Sequence, residues 1–499
     1  MDFVQNFPFF SIIISMFSGI ISSVLDGKKA RNLCVVSIGA IACLSTATLV
    51  CTIRSGEAYT YMMGHFPAPW GNEIRVGILE GVLATTFSLI LLLSVLSAYH
   101  RTAADIEKTK LNLFYLLINL LMSSLLAIIY TNDLFTAYVF VEINTIAACG
   151  LIMIRQVGRT IVSAVRYMGM SLIGSGLFLI GLSMLYSMTG QLLMEPAKEA
   201  VHALVSVDAY HVPLLVTLVL MCMGLAVKSG LYPFHSWMPD AYSYSTSSAS
   251  AVLSGLVSKA YIILLIKILY RVFGREYFVD SHLTNILFVF GLVGMIMGSV
   301  NAILEKDIRR MIAYSSVAQI GYIYMGLGMG TEAGVVAAIY HILHHAVIKA
   351  LLFISVVGLS NVSGGSKQFP DLRGAAYRHL TAGIAFTVGS FSMVGIPMFS
   401  GFVAKYLFAT AAMHVGAKKL ALTLIVLAVS TILNAIYFIH TVITIYTPVE
   451  ENKEFLLRKW HERPWVTCGL VVFILLNFVL GLFSGPVIDL ITKGLQMFG

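Results

Sequence analysis

The stretch VKSGLYPFHSWMPDAY, Val227 to Tyr242, sets a lysine, a histidine, an aspartate and two prolines in strongly apolar surroundings. Proline removes a backbone donor and crowds the preceding turn, and Gly230 adds conformational freedom. A helix running from Pro213 to Tyr244 is therefore expected to break near its middle. Inside a bilayer, broken helices persist only where protein or a water-filled cavity satisfies the freed peptide groups. The stretch thus predicts a membrane protein with an ion site at the break. Lys228 falls at the end of the first half-helix, where the negative end of the dipole favours a cation. His235, just past the break, is a candidate proton relay because imidazole changes charge near neutrality. Its plainer role is a helix-end hydrogen bond.

The rest of the chain fits this frame. Of 499 residues, 58% are hydrophobic and 11% charged, and the mean hydropathy of +0.87 excludes an ordinary soluble domain. Apolar runs long enough to cross a hydrocarbon core of about 30 Å predict an all-α polytopic protein with 14 spans, centred near residues 16, 42, 88, 120, 144, 176, 228, 261, 293, 319, 347, 397, 433 and 475. Loops after odd-numbered spans hold 19 of the 32 basic residues, including Lys453, Arg458, Lys459 and Arg463, whereas the other loops and the tail hold 8. Lysine and arginine accumulate in cytoplasmic loops, so both termini are expected on the non-cytoplasmic side. The net charge of +8 reflects this bias, and no nucleic-acid surface is expected. The stretch Phe7 to Leu25 lacks a basic leader and reads as a retained first span. Six cysteines are scattered without metal or redox spacing, so no cofactor, haem, iron–sulfur cluster or metal is expected here.

Five lysines fall inside predicted spans: Lys228, Lys259, Lys267, Lys349 and Lys405. A lysine at the centre of a span costs about 2.5–3.5 kcal/mol, and such residues usually mark an ion path. Lys267 lies two turns past Lys259 and reads as a side chain that snorkels to the interface. A second break is expected in VGSFSMVGIPMFSGFVAKYLF, Val388 to Phe408, with Lys405 on its second half. The two broken spans, the seventh and twelfth, hold matching positions five spans apart, which points to inverted repeats over spans 4–8 and 9–13.

Among carboxylates, Glu80 and Glu142 are expected deep inside spans, and Glu142 is the natural partner for Lys228. In HILHHAVIKALLF, His341, His345 and Lys349 recur every four residues on one helical face, with His344 alongside. The two histidines have zinc-pair spacing, but no third ligand is evident nearby, so metal binding is not expected.

Four runs in fixed order, KSGLYPFHSWMPDA, EKDIRRMIAYSSVAQIGYI, HILHHAVIKALLF and GIPMFSGFVAKY, resemble the antiporter-like subunits of respiratory complex I, Mrp-type sodium/proton antiporters and membrane-bound hydrogenases. The resemblance covers roughly residues 65 to 450, and HFPAPWGNEIRVGILEGVLA, His65 to Ala84, looks like the hairpin of the Mrp D-type branch. It implies a proton path in which Glu142 pairs with Lys228, Lys259 is the central lysine of the eighth span, and His341, His345 and Lys349 lie on a polar axis. Lys405 would be the terminal donor or acceptor. One departure stands out: YSYSTSSASA, Tyr242 to Ala251, puts hydroxyls where the family usually has a histidine and prolines.

The resemblance further implies a subunit of a multi-pass complex in a prokaryotic cell membrane, coupled to a redox enzyme or to Na+/H+ exchange and holding no catalytic centre itself. The expected partners are other integral membrane subunits, further antiporter-like subunits among them, with H+ and, as a second candidate ion, Na+. Competing readings are a secondary transporter for another solute and a structural subunit that does not pump. The expected division of the chain is residues 1–110 (spans 1–3 with a hairpin), 111–275 and 280–447 (the two repeats), and 448–499 (a loop and the last span).

Overall fold

The computed structural model describes residues 3–66, 71–448 and 464–498. The basic residues Lys453, Arg458, Lys459 and Arg463 and part of the hairpin motif, residues 67–70, lie outside the described residues.

Every expected span corresponds to a helix or a broken pair of helices. Among the described residues, twelve helices are long and apolar enough to cross a membrane, from Val4–Val24 to Pro464–Leu482. The tenth span, Ile308–Gly328, and the twelfth, split into Leu380–Val394 and Ser400–Ala412, complete the fourteen. The short strands β1, Tyr59–Met62, and β2, Glu73–Val76, pair antiparallel between the second and third spans.

Short polar side chains start several of the spans by binding free N–H groups of the first turn. Asp133 caps the fifth span through the Thr136 N–H at 2.5 Å, Thr246 the eighth through Ala249, Asp307 the tenth through Arg309 at 2.8 Å, and Thr331 the eleventh through Gly334. Two spans are broken as expected. The seventh runs His211–Ser229, stops at Gly230 with φ of +79°, and resumes as Met238–Tyr244. The twelfth stops at Gly395 with φ of +89°. That left-handed conformation strains any residue with a Cβ, which is why glycine stands at both breaks. Pro239 differs from expectation: it sits in the first turn of the second half-helix, where its missing N–H costs nothing, so it starts that half and does not cause the break.

Layering follows burial. The apolar windows of the eighth span, Ser247–Arg271, and the eleventh, Glu332–Asn361, are 100% and 94% buried, against 22% for the last span. Spans 8 and 11 are thus the centre, and the remaining spans wrap them. The ninth and tenth spans meet backbone to backbone, because a Cβ on Gly321 would stand 2.6 Å from the Gly291 carbonyl oxygen. In lipid, where apolar side chains gain nothing by leaving their solvent, such close approach is what holds helices together.

Candidate functional site

Lys228 ends the first half of the seventh span, and its side chain is wholly buried. Its Nζ lies 3.2 Å from Glu142 Oε1 on the fifth span, Leu134–Met153, and donates to Thr145 Oγ1 at 2.8 Å. Glu142 Oε1 also accepts from Ser175 of the sixth span. The pair expected from sequence therefore forms. Glu142 keeps 24% of its side chain exposed, beside the exposed apolar Val139 and Ile146, so it stands at the rim of this chain. Behind the pair, Tyr261 OH is 3.4 Å from Thr145 Oγ1 and donates to Asn144 Oδ1 at 3.2 Å. Tyr261 is two residues from Lys259.

Lys259 is fully buried at the end of a π-turn, Leu253–Val257, that interrupts the eighth span. Such a turn leaves carbonyls without their usual helical partners. Lys259 Nζ fills that need by donating to the Ser254 carbonyl, and it reaches Ser258 Oγ at 3.1 Å. Ser254 Oγ is 2.9 Å from Ser316 Oγ on the tenth span. Ser316 Oγ and Lys349 Nζ then donate to one acceptor, the Ile312 carbonyl, at 3.2 and 2.9 Å. Lys349 also donates to Ser315. Two hydroxyls and two carbonyls thus join two lysines on different spans.

His341 and His345 are buried, and their ring nitrogens make no hydrogen bond among the described residues. His341 stacks on Tyr322 at 5.4 Å between ring centres, and Lys405 Nζ stands 6.0 Å from the same ring. Lys405 donates to the Val394 carbonyl, freed at the second break, at 2.7 Å and to Thr431 Oγ1 at 2.9 Å. His344 Nδ1 is 2.7 Å from Ser400 Oγ, at the start of the second half of the twelfth span. Orphaned imidazole nitrogens in a buried setting are what water ordinarily satisfies.

His235 stands apart from this row. It stacks on Tyr232 at 5.1 Å, Nδ1 has no hydrogen bond, and the residue is partly exposed at the break. Two expectations fail. Lys267 does not snorkel: it is fully buried and donates to the Ile129 and Thr131 carbonyls at 2.7 and 2.6 Å, at the C-terminal end of the fourth span. A helix end offers an ammonium free carbonyls and the negative pole of the dipole. Glu80 is not mid-span either; it sits in the first turn of the third span, accepting from the Gly77 N–H at 3.0 Å.

Sequence reasoning missed Thr145, Tyr261, Ser315, Ser316, Tyr322 and Thr431, and gave Asp240 no role. Asp240 clamps Arg166 and Arg310, each at 2.6 Å, tying the second half of the broken seventh span to the sixth and tenth spans. Arg309 donates to the Tyr242 and Ser245 carbonyls and to Ser250 Oγ, so the hydroxyl-rich 242–251 stretch is held by a buried guanidinium. Its arginine partner was visible in EKDIRRM, but nothing in the spacing linked the two.

A multi-pass helical protein with two broken helices and buried lysines and histidines carried into its centre is, by fold, a polytopic membrane protein. Residues 131–432 match the family described as NADH:quinone oxidoreductase/Mrp antiporter, TM, and the chain is a member of that family. It is 34% identical over 421 residues to NADH-quinone oxidoreductase subunit N of Desulforudis audaxviator (strain MP104C), covering 84% of this chain and 80% of that one. It is 25% identical over 497 residues to the D-type subunit of the Na(+)/H(+) antiporter of Bacillus subtilis (strain 168), covering 97% and 96%. The fold matches a chain of the membrane-bound sulfane sulfur reductase, an archaeal respiratory membrane complex, with TM-score 0.88 and 24% identity over 100% of this chain and 98% of that one.

Proposed function

We propose that this chain is a proton-translocating, antiporter-like subunit of a multisubunit membrane complex. The observation that carries this reading is the Lys228–Glu142 pair, 3.2 Å apart at a broken span, with further lysines at 259, 349 and 405 ranged across the protein's centre. An ionised Glu142 favours a charged Lys228, and moving the carboxylate away removes that support and frees the proton. The charge change would pass through Tyr261 to Lys259, along Ser254 and Ser316 to Lys349, past His341 and His345, and to Lys405. His344 and His235 are candidate side relays. In this reading spans 4–8 and 9–13 are two inverted halves, each with one broken helix.

The position of Glu142 at the rim supports control from outside the chain. A charged group there has its energy set by whatever covers it, so a neighbouring membrane subunit can make or break the pair. The energy source, a redox reaction or Na+/H+ exchange, would lie on other subunits, as the names of the relatives suggest.

The test is ion transport by the purified whole complex in proteoliposomes, read separately for H+ and Na+. Glu142→Gln and Lys228→Ala are each expected to lower proton transport at least tenfold while the complex still assembles. Normal transport by both variants in assembled complexes would refute the reading and leave a structural subunit.

A further inference from the structure

Glu80 and Lys267 have no place in the row from Lys228 to Lys405, yet both are buried. Among the described residues Glu80 Oε1 makes no hydrogen bond; it forms an ion pair at 3.7 Å with Arg75 Nη1, which makes none either. Lys267 lies within electrostatic reach of Glu80, Arg75 and Arg271. The fully buried Tyr130 hydroxyl faces Ser45 and is in reach of Glu80 and Tyr59. Among the described residues, none of the hydroxyls of Ser45, Tyr59 and Tyr130 makes a hydrogen bond within 3.5 Å. Buried polar atoms without a hydrogen bond each cost about 1–3 kcal/mol, so five of them together, the carboxylate's own Oε1 and four around it, are not left dry. Glu80 stands among the cations Arg75, Lys267 and Arg271, with Glu73 and Glu195 in reach of Arg271, a setting that suits water.

The cluster lies between an open cleft and Lys259. Arg75 donates to the Met497 carbonyl, and the Phe498 ring sits 5.8 Å from Arg75 and 5.9 Å from Arg271. Next to these residues, Tyr270, Leu495 and Gln496 line an open cleft of about 700 Å³ whose wall also carries His202, Arg275 and Glu332. The bias of basic residues assigns this end of the molecule to the outside. Inward, Lys267 is eight residues from Lys259 on one helix, about 12 Å at the usual helical rise.

We propose that Glu80, Lys267 and the hydroxyls of Ser45, Tyr59 and Tyr130 form a second, hydrated proton-exchange site that connects Lys259 to the outer face by a route separate from Lys405. The proposal rests on the functional reading above for Lys259, but its chamber can be tested alone. In a map of the assembled complex that resolves water, ordered waters are expected between Glu80 Oε1 and Tyr130 OH. In proteoliposomes, Glu80→Gln is expected to lower pumping at least tenfold, and Glu80→Asp, which keeps the carboxylate, to retain most of it. A dry chamber, wild-type pumping by Glu80→Gln, or equal losses in the Gln and Asp variants overturns the proposal. If Glu142→Gln pumps normally while the Glu80 results hold, the Lys228 mechanism falls and this site stands.

Discussion

The Lys228 ammonium has two close partners, and they are not equivalent. Glu142 supplies a charge at the rim of the chain, whereas Thr145 supplies a hydroxyl 2.8 Å away inside it. Thr145→Val removes an acceptor from a buried cation and is expected to cost about 1–3 kcal/mol. Thermal unfolding of the purified complex should show the loss, with pumping slowed but not abolished because Glu142 remains. The lysines and Glu142 were legible in the sequence because charge inside an apolar run is rare. Thr145, Ser315 and Ser316 were not, because hydroxyl residues are common in these spans and many simply bond their own helix four residues back, as Thr46 does through the Ala42 carbonyl. Nothing local separates a hydroxyl that serves a buried lysine from one that only closes a turn of its own helix.

Among the elements, both helix breaks were readable from glycine and proline, but the π-turn at Leu253–Val257 was not. No residue type demands it, and its justification is the Lys259 amine that takes up the Ser254 carbonyl. At the twelfth-span break, a Cβ on Gly395 would stand 2.9 Å from Lys405 Cδ, and its φ is left-handed. Gly395→Ala is therefore expected to destabilise by about 1–2 kcal/mol and to displace Lys405 from the Val394 carbonyl. Slower pumping than an equally destabilising change at the peripheral last span would check it. The loop between the eleventh and twelfth spans holds a further titration. Burial, helped by the nearby Arg309 cation, brings Lys367 down to about 7. Since the unfolded chain holds that proton up to pH about 10.4, stability should rise with pH between about 7 and 10.4, with the penalty complete below. Unfolding midpoints across this window should lose that part of their slope in Lys367→Met.

For the molecule as a whole, composition announced a membrane protein and each expected span has its helix or helix pair, but which spans lie at the centre did not follow from hydropathy. The last span is the more apolar, at 2.4 against 2.0 for the eighth, yet it is peripheral; centrality comes from the lysines, which must be enclosed. The rim position of Glu142 predicts a neighbour on the face carrying Val139 and Ile146. Ile146→Cys is expected to cross-link to an adjacent subunit in the assembled complex, and exclusive labelling by a lipid-soluble reagent would place lipid there instead. The arrangement of the lysines also bears on how the chain is made. Lys228 binds Glu142 and Thr145, Lys259 binds Ser254 and Ser258, Lys267 binds the carbonyls of 129 and 131, and Lys349 binds Ile312 and Ser315. Each of these partners precedes its lysine in the chain, and Lys405 has Val394 behind it before Thr431 arrives. A ribosome delivering the protein from its N-terminus therefore never presents the bilayer with a buried ammonium whose first ligand has yet to be synthesised.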